Sequence, residues 1–261
     1  MVSYDKLKTA RKNGRPTGGA YIDEIFELPI ELHGDRRFGD DLAIYGGLAY
    51  IDKRPVTFLA MEKGTDLPSR LARNFGCPKP EGYRKALRLM KQAEKFRRPV
   101  LCLVDTSGAY PGIGAEERGQ GQAIAENLME MMTLKTPVLT ILIGEGGSGG
   151  ALALAVADEV WMLENSVYSV ISPEGCASIL WKDSAKAPQA AEALKMTAQD
   201  LFDLGVIERI IRQPKAEDKA MFESLRLLVL RTFEKNAALS DSELIEQRYQ
   251  RFRKIGTSHI K

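Results

Sequence analysis

The sequence predicts an α/β fold, a single domain in which buried strands alternate with helices. Two runs, Pro99–Val104 and Pro137–Ile143, are almost wholly apolar and lack the polar alternation of a half-exposed strand. Each run ends in a glycine-rich turn that leads into a helical pattern, Asp105–Gly114 in one case and Gly144–Gly150 in the other. Because no linker or low-complexity stretch interrupts these repeats, one domain with flanking helices accounts for the chain.

Composition sets limits on the class of protein. The 261 residues are 44% hydrophobic and 28% charged, which is typical of a globular domain. A formal net charge of +2 does not indicate nucleic-acid binding. No apolar run is long enough to span a membrane, and the first residues lack a signal-peptide core. Cys77, Cys102 and Cys176 lie far apart, so we expect a reducing, cytoplasmic location and neither disulfides nor a metal site.

The remaining elements follow from apolar spacing and turn residues. Residues 1–20 are a basic N-terminal arm, expected either as a mobile segment or as a short first helix; contact with an acidic partner is the alternative. Residues 21–261 form the domain proper, with its C-terminal helices beginning at about residue 215. The other predicted helices are Tyr21–Leu32, Glu81–Phe96, one from about Ala115, one from Ala151, Gly175–Trp181, Gln189–Met196 and Asp200–Leu204; the other strands are Ile44–Ile51 with Pro55–Met61 as a hairpin, Glu159–Leu163, Ser166–Ile171 and Val206–Ile211.

The turn Gly144–Gly150 is the most informative stretch, with five glycines in seven residues between a buried strand and a helix. Glycine lets the backbone turn tightly and approach a ligand closely, and the start of a helix adds unpaired N–H groups. The turn therefore has the outline of an anion or oxyanion site. The alternative is that the glycines serve only tight backbone packing.

Three kinds of chemistry compete for this turn. Gly146–Gly150 matches the G-x-S-x-G pattern of serine hydrolases, but the two histidines, His33 and His259, are remote in sequence from Ser148. A nucleotide site is disfavoured, because no G-x-x-x-x-G-K-[ST] motif is present and the turn follows several strands rather than the first. An oxyanion hole built only from backbone amides needs no side-chain base, and one such donor stabilises a transition state by roughly 3 kcal/mol.

The chain also resembles a known family, the α subunits of the bacterial acetyl-CoA carboxylase carboxyltransferase. The resemblance extends over roughly residues 30 to 210 and is most specific in two long stretches. The stretches that carry it are Gly34–Arg36, Asp40–Asp41 with Gly46–Gly47, Arg73–Gly76, Pro80–Met90, Asp105 with Gly108–Gly112, Gly114–Gln120, Gly144–Ala153 and Tyr168–Lys182.

The resemblance implies the crotonase-like fold, which is built from repeated ββα units. It implies a biotin-dependent enzyme that transfers the carboxyl group from carboxybiotin, presented on a biotin carboxyl carrier protein, to acetyl-CoA. The product is malonyl-CoA, in the first committed step of fatty-acid synthesis. The implied partners are a carboxyltransferase β subunit, in an α2β2 arrangement, and the biotin carboxylase. Zinc is expected on the β subunit and no metal on this chain.

The resemblance also suggests roles for particular residues. In related carboxyltransferases the α-type half houses the biotin and the β-type half houses the CoA, each with a backbone oxyanion hole. Carried over to this sequence, the amides of Gly149 and Gly150 face the biotin ureido oxygen, with Gly146 and Gly147 beside them. The turn Gly112-Ile113-Gly114 is expected to line the same biotin pocket.

Two alternatives stay open within this interpretation. Another acyl-CoA enzyme of the same fold, such as a hydratase, an isomerase or a decarboxylase subunit, would bring a glutamate base into the pocket. Glu116, Glu117 and Glu145 are the nearest candidates for that base. A non-enzymatic subunit that only supports an active partner is the second alternative.

Replacing Ser148 distinguishes the backbone interpretation from the hydrolase interpretation. We expect Ser148→Ala to lower the turnover rate only slightly, because the role assigned to the turn belongs to its amides. The measurement is kcat for carboxyl transfer in the complex with the β partner. A loss of about a thousandfold or more with the fold intact would revive the serine nucleophile.

Overall fold

The computed structural model describes residues 3–257, which form an eight-stranded mixed sheet covered by helices on both faces. The strands are β1 Glu27–Glu31, β2 Ile44–Ile51, β3 Arg54–Met61, β4 Val100–Thr106, β5 Val138–Gly147, β6 Glu159–Leu163, β7 Val167–Ser169 and β8 Arg209–Ile211. The helices are α1 Ser3–Arg11, α2 Gly18–Ile25, α3 Leu67–Ala72, α4 Pro80–Lys95, α5 Ile113–Glu117, α6 Gln120–Thr133, α7 Ser148–Leu152, α8 Pro173–Trp181, α9 Ala187–Ala193, α10 Ala198–Asp203, α11 Lys219–Ala237 and α12 Asp241–Lys254.

The sheet has an antiparallel edge and a parallel centre. Its order is β1-β2-β3-β4-β5-β6-β8, with β7 paired to the far end of β5. The β1, β2 and β3 strands are antiparallel neighbours, whereas β3, β4, β5, β6 and β8 run parallel. Parallel strands place their carboxyl ends at one edge of the sheet, so the turns after β4 and β5 meet there.

Alternating side chains of the central strands form two cores. Cys102 and Val104 point to the face covered by α4, α6 and α7, and Leu101 and Leu103 point to the face covered by α2 and α11. Both faces are buried, which explains why the β4 and β5 sequences are continuously apolar. The prediction of an α/β fold with buried central strands is confirmed.

The predicted helix Tyr21–Leu32 is wrong in its second half. Helix α2 ends at Ile25, Phe26 is extended, and the chain continues as strand β1. Leu28 has a φ of +51°, which no α-helix accommodates, and Pro29 follows it. The apolar spacing reflects burial of Tyr21, Ile22 and Ile25 on the sheet rather than a longer helix.

Two boundaries within the glycine turn differ from the sequence prediction. Strand β5 runs on to Gly147 instead of ending at Ile143, and α7 begins at Ser148 instead of Ala151. The extension is paired with β7, which lies beside Glu145–Gly147. The glycine run is therefore half strand and half helix, because a neighbouring strand supplies hydrogen bonds that local sequence cannot reveal.

The first described residues form a helix that packs on the rest of the chain. Leu7 and Ala10 of α1 are buried against Val167, Ala191 and Met196. Of the two expectations for the basic arm, the short helix is the one observed over Ser3–Arg11. Within residues 3–257, no helix is both long and apolar enough to cross a bilayer.

Helix α12 is attached through one fully buried ion pair. The Arg248 guanidinium donates to both carboxylate oxygens of Asp158, at 2.9 and 3.0 Å, and also to the carbonyl oxygens of Met131, Leu134 and Thr136. Neither side chain of the ion pair is exposed. Burial raises the pKa of Asp158, against the lowering effect of Arg248. The pair therefore depends on complete hydrogen bonding, since a buried charge without its partner is very costly.

Removing Arg248 is expected to destabilise the fold. Arg248→Met leaves the Asp158 carboxylate buried without its counter-charge, at a cost of about 3 to 5 kcal/mol in the free energy of unfolding. Arg253→Met on the same helix is the matched control, because Arg253 is exposed. Urea unfolding followed by circular dichroism checks the comparison; equal midpoints for the two variants would show that the ion pair is not needed for stability.

Candidate active site

Three glycines of β5 and α7 lie against the end of β4. A β-carbon added at Gly144 would overlap the Asp105 carboxylate, one at Gly147 would overlap the carbonyl of Ser107, and one at Gly150 would overlap the backbone amide of Ala109. These glycines are three residues apart, and they extend from strand β5 into helix α7. At these positions glycine is required for close backbone packing.

Asp105 connects the two strand ends. Its carboxylate accepts a hydrogen bond from the Glu145 amide at 2.9 Å and from the Lys63 ammonium at 2.5 Å, and the Arg15 guanidinium lies 3.5 Å away. The side chain is almost wholly buried. This carboxylate therefore holds the start of the glycine turn in position relative to β4.

The turn itself separates into buried and open positions. Gly150 is buried, and its carbonyl accepts a hydrogen bond at 3.1 Å from the buried Tyr83 hydroxyl. Gly149 faces open space, since the nearest atom to an added β-carbon is the Ile124 methyl at 3.8 Å. Ser148 is exposed and has a φ of +53°. Gly149 is therefore the glycine of the helical half whose missing side chain leaves room for a ligand.

Three cavities lie along this edge of the sheet, and we name them the apolar, narrow and basic cavities. The apolar cavity, 290 Å³, is lined by Gly149 together with Leu152, Tyr168, Val170, Leu201 and Val206. The narrow cavity, 30 Å³, includes Gly146 and Gly147. The basic cavity, 530 Å³, lies beneath the connection between α1 and α2. Ser148 lines the first two cavities, and Glu145 lines the last two.

The turn Gly112-Ile113-Gly114 lies after β4, at the start of α5. Gly112 precedes the helix, and its α-carbon faces the ring of Tyr110, whose backbone is anchored to Pro78 and Gln120. Ile113 is 81% exposed. These three residues line none of the three named cavities. Their assignment to a shared biotin pocket stays a prediction.

The hydrolase interpretation finds no support in the geometry. Among residues 3–257, no side chain forms a hydrogen bond with the Ser148 hydroxyl. His33 instead contacts Asp40, with 2.9 Å between Nδ1 and the carboxylate. His259 lies outside the described residues. A serine nucleophile requires an adjacent base, and the described part of the chain brings none to it.

A glutamate base is also disfavoured. Glu145 accepts two hydrogen bonds from Arg11, at 3.0 and 2.7 Å, so its charge is already paired. The hydrogen bond to Glu145 raises the pKa of the Arg11 guanidinium, and the contact with Glu174 raises it further. Glu116 and Glu117 are exposed on α5. Within residues 3–257, no group of three or more His, Cys, Asp and Glu side chains is placed to hold a metal ion.

Comparison with known proteins identifies the family. Residues 1–256 match the family described as acetyl co-enzyme A carboxylase carboxyltransferase-like. The chain belongs to this family. The carboxyltransferase family assignment confirms the resemblance drawn from the motifs, and it favours carboxyl transfer over the other acyl-CoA chemistries that share the fold.

Individual relatives agree with the carboxyltransferase family. The chain is 58% identical, over 98% of each chain, to the acetyl-coenzyme A carboxylase carboxyl transferase subunit alpha of Ruminiclostridium cellulolyticum. It is 56% identical to the subunits beta/alpha protein of Natranaerobius thermophilus, covering 98% of this chain and 43% of that one. A Pseudomonas malonate decarboxylase hetero-tetramer, solved with coenzyme A, contains a chain with a TM-score of 0.71 at 19% identity, covering 93% and 96% of the two chains. The crotonase-like α/β fold is confirmed.

Sequence reasoning missed the side chains that hold the turn in this carboxyltransferase-family chain. Asp105, Lys63 and Arg11 meet around β5 from segments separated by 40 residues or more. Asp105 gave a partial signal, because it directly follows a buried strand. Arg11 and Lys63 gave none, since each is one of many basic residues and its partner is distant in sequence.

Alanine substitutions at Gly149 and Gly150 are expected to differ in their effect on the stability of the fold. Gly150→Ala forces a β-carbon into the backbone of Ala109, and overpacking of this kind costs about 1 to 3 kcal/mol of stability. Gly149→Ala meets only the ordinary contact with Ile124, so its melting temperature stays near that of the natural chain. Scanning calorimetry on both variants measures the difference. Equal melting temperatures would contradict the division into buried and open glycines.

Proposed function

We propose that this chain is the α half of an acetyl-CoA carboxylase carboxyltransferase, with its biotin site at Gly149. The reaction moves a carboxyl group from carboxybiotin on its carrier protein to acetyl-CoA, giving malonyl-CoA for fatty-acid synthesis. The observation that carries the proposal is the open position of Gly149, at the start of a helix and on the wall of the apolar cavity. The family assignment supplies the reaction class.

The amides of Gly149 and Gly150 are the proposed hydrogen-bond donors. They lie in the first turn of α7, where backbone N–H groups have no partner within the helix. Gly147, the residue before α7, has no side chain that could cap these N–H groups. Carboxybiotin, when bound, supplies the carboxyl group and a ring nitrogen able to accept the methyl proton of acetyl-CoA. The two amides would hold its ureido oxygen, whose negative charge grows as the carboxyl group leaves.

Strand β5 keeps these donors fixed. Asp105 holds the Glu145 amide, and the Tyr83 hydroxyl holds the Gly150 carbonyl, so both ends of the turn are attached to neighbouring elements. Burial raises the pKa of Tyr83 well above its ordinary value, which keeps the hydroxyl protonated and able to donate. Donors that do not reorganise during the reaction stabilise developing charge most effectively.

The apolar cavity suits a small, uncharged ring system. Its walls combine Leu152, Val170, Leu201 and Val206 with the ring of Tyr168. Burial raises the pKa of Tyr168 to about 12, so this wall stays uncharged at neutral pH. Because Gly149 has no side chain, a ring in this cavity can approach the backbone amides closely. A β-branched residue there would fill the same space.

Partners complete the proposed site. Val170, on the rim of the apolar cavity, is 76% exposed, and Ile179, Leu180 and Phe202 are also exposed on the following helices. Large exposed apolar side chains of this kind suit a protein interface. We assign them to the β subunit, which would bring the CoA half and the zinc, in an α2β2 arrangement. The carrier protein and the biotin carboxylase join this assembly, which we place in the cytoplasm, consistent with three unpaired cysteines.

Reconstitution tests the proposal directly. We expect malonyl-CoA only when the purified chain is combined with its β partner and a biotinylated carrier, since the chain provides one half of the site. In that complex, Gly149→Val is expected to lower kcat about a hundredfold, through loss of roughly 3 kcal/mol of transition-state stabilisation. The measurement is malonyl-CoA formation, with the mass of the complex determined on the same preparation.

Gly121→Val is the matched control for this experiment. Gly121 lies on α6, and an added β-carbon there meets nothing within 4 Å. It should leave both assembly and rate unchanged. Near-normal turnover of Gly149→Val in an intact complex would remove the turn from the mechanism, and full activity of the isolated chain would exclude the two-subunit arrangement.

A further inference from the structure

The proposed carboxyl transfer takes place at the apolar cavity, and the basic cavity is connected to that site through Asp105 and Glu145, which hold the turn. The basic cavity lies on the α2 side of the sheet, whereas α7 and the apolar cavity lie on the opposite side. Five cationic side chains line it, against the two carboxylates of Asp105 and Glu145. The cations are Arg11, Lys12, Arg15, Lys63 and Arg70. The cavity therefore carries an excess of positive charge, which favours an anionic ligand.

Some of these cations already have partners and others do not. Arg11 is paired with Glu145, and Lys63 is paired with Asp105. In the part of the chain that the structure describes, Lys12 and Arg70 form no ion pair. Arg15 lies 3.5 Å from Asp105 and donates to the carbonyl oxygens of Ala10 and Ile143. Its Nε is buried and has no hydrogen-bond partner among the same residues, although buried polar groups normally find one. Three cations at this cavity thus retain donors for a ligand.

An aromatic ring forms part of the wall. Phe75 is 50% exposed and lines the basic cavity. The backbone around it is held in an unusual conformation, since Asn74, Phe75 and Gly76 all have positive φ, at 49°, 54° and 77°. Strain of this kind on non-glycine residues concentrates at ligand-binding segments. The segment belongs to the Arg73–Gly76 motif, to which the carboxyl-transfer chemistry assigns no role.

We propose that the basic cavity binds an adenine nucleotide, either free or as the phosphorylated ADP part of CoA. The flat base would stack on Phe75, and the phosphates would lie against Lys12, Arg15 and Arg70. Ala10, Pro16 and Ala20 supply apolar surface for the base and the sugar. A volume of 530 Å³ falls within the range of small-molecule sites. Guanidinium groups are well suited to phosphate oxygens.

Calorimetric titration of the isolated full-length chain with ADP, CoA and inorganic pyrophosphate tests this site. Because the β partner is omitted, the CoA site that we assign to it cannot contribute to the measured binding. We expect saturable binding of ADP, weakened about tenfold by Arg70→Gln through loss of a charge-assisted contact. Phe75→Leu is expected to weaken ADP binding while leaving pyrophosphate binding unchanged. Both side chains are partly or largely exposed, so the fold should tolerate the changes.

Lys8→Gln is the matched control, because it removes one charge from α1 outside the cavity lining. It should bind ADP as the natural chain does. Tighter binding of CoA than of ADP would identify CoA as the source of the nucleotide, and equal binding would identify a free nucleotide. The proposal is overturned if neither ligand binds saturably, if pyrophosphate binds as tightly as ADP, or if Arg70→Gln and Lys8→Gln behave alike. Each of these results would leave the Gly149 site untouched.

Discussion

The close approach of the β5 backbone to the end of β4 is the constraint on which the site depends. Gly144, Gly147 and Gly150 recur at every third residue where a β-carbon would overlap the facing chain. Interiors are packed too densely to absorb such an overlap without backbone movement. The glycines of this run therefore have two different effects. Gly144, Gly147 and Gly150 permit the close packing, and Gly149, which faces open space, leaves the backbone accessible to a ligand.

Charged side chains then hold the ends of β4 and β5 in position. Asp105 receives hydrogen bonds from β5 and from Lys63, and Arg11 reaches across from α1 to the Glu145 carboxylate in the same strand. Partly buried ion pairs of this kind contribute little net stability, but they specify geometry. The N-terminal helix is consequently part of the framework that supports the turn, rather than a loose basic arm beside it.

Much of the fold could be predicted because burial leaves a direct pattern in the sequence. The continuous apolar runs of β4 and β5 indicated strands covered on both faces, and the hairpin of β2 and β3 followed from two short runs around a polar turn. Prediction failed where a distant element decides the conformation. Leu28 lies in a strand because β2 is beside β1, and Glu145–Gly147 remain extended because β7 pairs with them.

By itself, the sequence determined the fold class, the family and the glycine turn to which we assign the site, because these depend on local composition and on long motifs. Only the tertiary structure decided which glycine is open, which carboxylate is already paired, and that a basic cavity lies at the same edge of the sheet. Those properties depend on contacts between residues far apart in the chain, such as Arg11 with Glu145, 134 positions later. The sequence gives the chemistry of each side chain, but the packing of strands and helices determines which partner that side chain contacts.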